Sequence, residues 1–361
     1  MGVWLRREPH NTQATRPAMA RWAKSIGDRN PLWLDDEYAS TASHGSIPST
    51  ALRAGVAPPC WLYSVDDTLV APKLPGLHAI YVGTHWQFQR WVRLGEQIEA
   101  RARLLQVQEK EGRFCGHMVL QVGEVLYTDP QGQPIARAVS KVLRTSRQGA
   151  IERGKYAHWA KYQYSQEELS AIEDTYDAEE IQGATPRYWE AVEVGEKLPS
   201  IVRGPLTSED VSQFICATRP ARGFKDFMRY RHRHPEAAFR DPETGMWESW
   251  EASMLRDDVA QMFGLPFAHD SGIDRVSWVS NLITNWMGDD GFLKELSVDL
   301  LLPNVYGDAT WCRGQIKGKN RHDRDALIEL DVWCDNQRGQ RTATGWAIVA
   351  LPSQNKPSPA L

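Results

Sequence analysis

The chain has 361 residues, of which 42% are hydrophobic and 24% charged, and a formal net charge of -4, the balance of an ordinary globular protein. That charge gives no reason to expect nucleic acid or an anionic membrane as a partner, and no apolar run approaches the ~18 residues that span a bilayer. The length suffices for two domains, or for one large one.

From the N-terminus, Met1 to Pro17 is polar and charged, without the apolar core of an export signal. Met19, Trp22, Ala23 and Ile26 then recur at helical spacing, which predicts a helix starting near Pro17 with one apolar face. Next comes Gly27-Asp28-Arg29-Asn30-Pro31-Leu32-Trp33-Leu34-Asp35, followed by Tyr38-Ala39. Further on, Ile98, Ala100, Ala102 and Leu104 alternate with charged residues, the period of a strand buried on one face. A last strand of this half is expected over Ile135–Leu143.

The stretch 146–186 is charged and tyrosine-rich and reads as a structured linker, with a capping box at Ser165-Gln166-Glu167-Glu168 opening a helix through Glu180. Beyond it the pattern repeats. Thr207-Ser208-Glu209-Asp210 forms a second capping box ahead of Val211, Phe214 and Ile215; Ala326, Ile328, Leu330 and Val332 alternate like the first strand; and Thr342–Leu351 closes the copy. Gly-acid turns (Gly95-Glu96, Gly307-Asp308) open both strand blocks, and Gly-Gln turns (Gly132-Gln133, Gly339-Gln340) precede both last strands. Five scattered cysteines with no C-x-x-C pair point to reduced thiols in a cytoplasmic protein, and fifteen tryptophans to aromatic core or pocket walls. Arg229, Arg231 and Arg233 interleave with His232 and His234; without a third ligand no metal is expected, and the segment reads as a solvated loop, with contact to the phosphates of coenzyme A or a phosphopantetheine arm as the alternative.

The segment from Gly27 to Ala39 resembles the G-D-x-N-P-x-H-x-D-x-x-x-A signature of MaoC-like enoyl-thioester hydratases and dehydratases. Arg187-Tyr188-Trp189-Glu190, Gly204-Pro205-Leu206-Thr207, Trp286-Met287-Gly288-Asp289-Asp290-Gly291 and Ala57-Pro58-Pro59 resemble marks of the double-hotdog members of that family. The resemblance covers about Arg16 to Pro352 and implies an α+β tandem hotdog, each half a long helix wrapped by an antiparallel sheet. Its expected domains are an N-terminal hotdog over 15–145, the linker over 146–186 and a C-terminal hotdog over 187–353. It implies a lyase that hydrates an enoyl thioester or dehydrates a 3-hydroxyacyl thioester, with the acyl group on coenzyme A or acyl carrier protein and no further cofactor. It also implies homo-oligomers, or hetero-oligomers with a MaoC-like partner.

Such chemistry needs a base for water, an acid for the alpha carbon and donors for the thioester oxygen. Asp28 keeps the family's aspartate and Asn30 its bracing amide, but Trp33 stands where the histidine is expected, and indole is a donor only. In the second half Met254 or Leu255 takes the place of the expected histidine. The substitute proton carriers are His269, beside Asp270, and His44, with His85 a further one; Trp33, Ala57, Asp270 and Arg275 join Asn30 as expected substrate contacts. Two other functions stay open: a repurposed hotdog enzyme performing cyclisation, isomerisation or elimination on a polyketide-like or aromatic substrate, and a non-catalytic subunit of a MaoC-like hetero-oligomer.

Overall fold

The computed structural model describes residues 2–354 apart from 6, 8, 42–54, 73, 75, 113–115, 221–222 and 323–324. A single antiparallel sheet of ten strands dominates it, in the order β1-β3-β4-β5-β2-β9-β12-β11-β10-β6. The first half supplies β1 (Trp4–Leu5), β2 (Leu77–Phe88), β3 (Glu99–Gly112), β4 (Gly116–Thr128) and β5 (Pro134–Ser146). The second supplies β6 (Ile201–Arg203), β9 (Phe292–Leu300), β10 (Thr310–His322), β11 (Asp325–Asn336) and β12 (Arg341–Leu351). A separate hairpin joins β7 (Ala238–Arg240) and β8 (Trp247–Ser249).

The two halves meet where β2 pairs with β9, from Gly83 opposite Asp299 to Gln87 opposite Glu295. Gly83 is required there: a Cβ would lie 2.5 Å from the Val298 carbonyl oxygen, and the local φ of +151° disfavours any side chain. His85 Nε2–H donates across this seam to Glu295 Oε2 at 2.8 Å, and the ring lies against Trp346, which places it among structural cross-strand contacts.

The sheet curls around one helix, Ile273–Met287, in which all residues are buried. It begins after Gly272 (φ +78°) and ends at Gly288 (φ +72°), two positions where left-handed backbone lets the chain turn sharply. In the first half, the 3-10 turn Pro59–Ser64, buried throughout, and strand β2 pack against this helix. The N-terminal helix, Arg16–Ser25, is capped by Thr15 and buries Met19, Trp22 and Ala23. Its counterpart, Ser208–Thr218, carries the expected Thr207–Asp210 capping box, and the two helices pack on each other.

Between the halves run helices Arg147–Arg153 and Gln166–Asp177. The second has its full Ser165–Glu168 capping box but stops at Asp177, short of the expected Glu180, because Ala178 (φ -85°, ψ 3°) leaves helical geometry. That early stop frees Glu179 to pair with Arg203. The basic segment expected as a loop is instead the helix Phe224–Arg233, with no buried residue. Arg231, His232 and Arg233 occupy its last turn, where the helix dipole favours cations. Among the described residues no helix is long and apolar enough to cross a membrane.

Candidate active site

The Asp28 site is built by one turn of chain. Helix Arg16–Ser25 ends at Ile26, and Gly27 (φ +74°) reverses the backbone. Asn30 then caps the short helix Pro31–Leu34, its side-chain oxygen accepting from Leu32 N at 2.9 Å, with Pro31 in the first position where its missing N–H costs nothing. This turn brings Trp33 back over Asp28. The indole Nε1–H donates to Asp28 Oδ2 at 2.9 Å while the Asn30 backbone N–H donates to Oδ1 at 2.9 Å.

Asp28 and Trp33 are each 1% exposed, so the carboxyl has lost nearly all contact with water. Burial pushes its pKa up to about 7, against the opposing pull of the Asn30 N–H, the Arg203 guanidinium and the indole N–H. A carboxyl so placed is divided between acid and base near neutrality, which suits proton transfer in either direction. Trp33 can take no proton; its indole N–H holds and orients the Asp28 carboxyl.

The surroundings come from distant parts of the chain. Arg203, on β6, donates from Nε to the Ile26 carbonyl at 2.8 Å and from Nη2 to the Gly27 carbonyl at 3.2 Å. Glu179 accepts from both its terminal nitrogens, at 2.8 and 3.0 Å, and Asn281 accepts from Nη2. Asn285 donates to Glu179 at 2.8 Å. On the apolar side Trp33 faces Trp91 at 6.0 Å, and Trp91 meets Phe292 edge-on at 5.4 Å.

Two openings lie nearby. A slot of about 10 Å³ among Ala57, Pro58, Leu62, Phe88, Trp91 and Phe292 has room for no more than a water. A cleft of about 290 Å³ among Glu180, Gln182, Thr185, Arg187, Asn285 and Trp286 is larger but touches the Asp28 network only through Asn285.

The other expected site residues are not gathered around Asp28. His269 turns Nδ1 to the Asp270 backbone carbonyl at 2.6 Å, not to the Asp270 side chain, so the expected His-Asp side-chain pair does not form. That bond assigns the proton to Nδ1 and leaves Nε2, which has no hydrogen-bond partner among the described residues, as the basic nitrogen; burial lowers its proton affinity. Asp270 is engaged by Arg275 at 2.6 and 3.2 Å, and Arg275 also donates to the carbonyls of Leu302 and Thr342. Both side chains are buried and their polar atoms serve to pin the start of the central helix, in place of the expected substrate contact. Ala57 lines the slot, but its N–H donates to the Val92 carbonyl at 2.9 Å and is not free for a thioester oxygen. His44 lies outside the described residues.

Sequence reasoning missed Arg203, Glu179, Asn281 and Asn285. The only signal was positional, Arg203 standing immediately before the Gly204-Pro205-Leu206-Thr207 motif. It also missed Asp274, in the first turn of the central helix, whose pKa burial raises to about 8.

Two halves sharing one sheet around a buried helix define the chain as a double-hotdog protein. Residues 1–138 match the family described as the FAS1-like dehydratase domain region. Among solved structures, a MaoC-like dehydratase superposes with a TM-score of 0.66 at 15% identity, over 98% of each chain. The Mycobacterium tuberculosis protein RV0216, which has a double hotdog fold, gives a TM-score of 0.57 at 12% identity over 94% of this chain and 93% of its own. These likenesses show a double-hotdog fold of the kind found in a MaoC-like dehydratase. Among curated proteins the chain is 30% identical, over 162 residues, to the alpha subunit of a 3-oxo-4,17-pregnadiene-20-carboxyl-CoA hydratase of Mycobacterium tuberculosis. That match takes in 36% of this chain and 48% of the relative, so the chain spans about half the length of the curated protein it matches. At the family level these relatives are dehydratases and hydratases.

Proposed function

We propose that the chain is a hydro-lyase acting on an acyl thioester, with Asp28 alone carrying the proton. The observation behind this reading is the buried Asp28 carboxyl, held by the Asn30 and Trp33 N–H groups and poised near neutrality. In the hydration direction, ionised Asp28 takes a proton from water as its oxygen bonds to the beta carbon. The electron pair of the double bond passes to the alpha carbon and thioester oxygen, and protonated Asp28 then returns the proton to the alpha carbon. Dehydration is the reverse. One group serving both carbons places the added H and OH on the same face, so syn addition is expected. The thioester is proposed to be carried on coenzyme A, as the name of the curated relative has it for that protein.

The test is turnover of a panel of enoyl- and 3-hydroxyacyl-coenzyme A thioesters by the purified chain, with Asp28→Asn in parallel. Turnover that Asp28→Asn abolishes supports the reading; a folded chain inert toward every thioester overturns it. A second reading has its own observation: Asp28 is sealed behind Trp33 and Trp91, and the curated relative is one subunit of a hydratase. In that case the chain supports a MaoC-like partner, and activity appears only when the partner is added and survives Asp28→Asn.

A further inference from the structure

We infer that Arg203 is a positioning residue for Asp28, reaching from the second half to hold the backbone at Ile26 and Gly27 and forming with Glu179 the charge pair against which the Asp28 carboxyl ionises. The inference deepens the hydro-lyase reading and takes its functional meaning from it.

The geometry is closed on every side. Arg203 is 4% exposed, and Nε, Nη1 and Nη2 all have partners: Ile26 O, Gly27 O, Glu179, Asn281 and the Val202 carbonyl at 2.6 Å. A planar guanidinium can satisfy so many acceptors at once, whereas an ammonium cannot. The contact is tight as well as polar. A Cβ on Gly27 would lie 2.9 Å from Arg203 Nε and 3.2 Å from its Cδ, so glycine at this position makes room for the arginine as well as for the turn.

The charged and polar groups facing Asp28 come from three places. Its own turn supplies the Asn30 N–H and the Trp33 indole, β6 supplies Arg203, and the segment just after the linker helix supplies Glu179. Arg203 favours the ionised carboxyl and Glu179 opposes it. A buried cation without its counter-ion would pull Asp28 strongly toward the carboxylate, and a buried anion alone would push it toward the acid. As a pair they leave it between the two.

Opposite signs follow, and a merely structural role would not produce them. Arg203→Met should raise the Asp28 pKa by about one unit or more, Glu179→Gln should lower it, and the double variant should return toward the parent value. Arg203→Lys keeps the charge but loses the fork, so its carboxyl should titrate close to the parent while kcat falls. The readout is the ¹³C carboxyl resonance of Asp28 in aspartate-labelled protein, assigned by its loss in Asp28→Asn, with circular dichroism confirming that each variant folds. This titration needs no turnover, so the inference can stand even where the thioester panel fails. Where turnover is found, the acid limb of kcat/KM should follow the same order. Shifts of the same sign in the two single variants, or no shift in the folded proteins, would overturn the inference. Should Arg203→Met fail to fold, the downward shift in Glu179→Gln and the near-parent titration of Arg203→Lys still decide it.

Discussion

At the scale of single residues, indole in place of imidazole at position 33 changes, on the proposed reading, the task of Asp28 more than it changes the scaffold. An imidazole could share protons with the carboxyl; the Trp33 N–H only donates to it. Trp33→Phe removes that donor and should raise the Asp28 pKa above about 7, seen as an upward move of its carboxyl titration. Trp33→His is the reverse experiment: it restores a second proton carrier beside Asp28 and should raise turnover of an enoyl thioester if Asp28 already acts on it.

The raised pKa of Asp28 also links stability to pH. Its ordinary value is 3.8 and its folded value about 7, so the folded state holds a proton that the unfolded chain has released. The stability this contributes is complete below pH ~3.8 and is lost progressively as pH rises to about 7. Asp28→Asn lacks the effect, so its melting temperature minus that of the parent should increase between pH 4 and 7 and level off above. Thermal denaturation across that range checks it.

At the scale of elements, what could be read from the sequence depended on whether an element kept a wet face. Helix Arg16–Ser25 and strand β11 have one buried face and one polar face, and their periodicity announced them, as did the alternation at the start of β3, where Ala102 is buried between charged neighbours. The central helix, Ile273–Met287, is buried all round, and polar residues such as Ser277, Asn281 and Asn285 are distributed within it, so no stripe marked it as a helix. The site divided in the same manner. Asp28, Asn30 and Trp33 are neighbours in sequence and were recognisable together, whereas the bond from Arg203 to Gly27 spans 176 positions and has no local pattern.

Two elements carry tests of their own. The Asp270–Arg275 pair pins the start of the central helix from inside, so Arg275→Met should cost about 3 kcal/mol or more by leaving Asp270 buried without its counter-charge, measured by denaturant unfolding. At the seam, Gly83→Val would drive a side chain into the Val298 carbonyl on β9. The expected result is two separated unfolding transitions in place of one, because β2 and β9 join the halves.

For the whole molecule, the seam and the clamp belong together. Strand β2 meets β9, and Arg203 of the second half meets Gly27 of the first, within one covalent chain. Were the halves separate polypeptides, dilution would part them and the guanidinium would leave the carboxyl it serves. Here the tether keeps each half in the other's presence at an effective concentration on the order of millimolar, however thin the solution. The environment of Asp28 should therefore be the same at nanomolar as at millimolar protein: a site assembled from two halves that cannot be titrated apart.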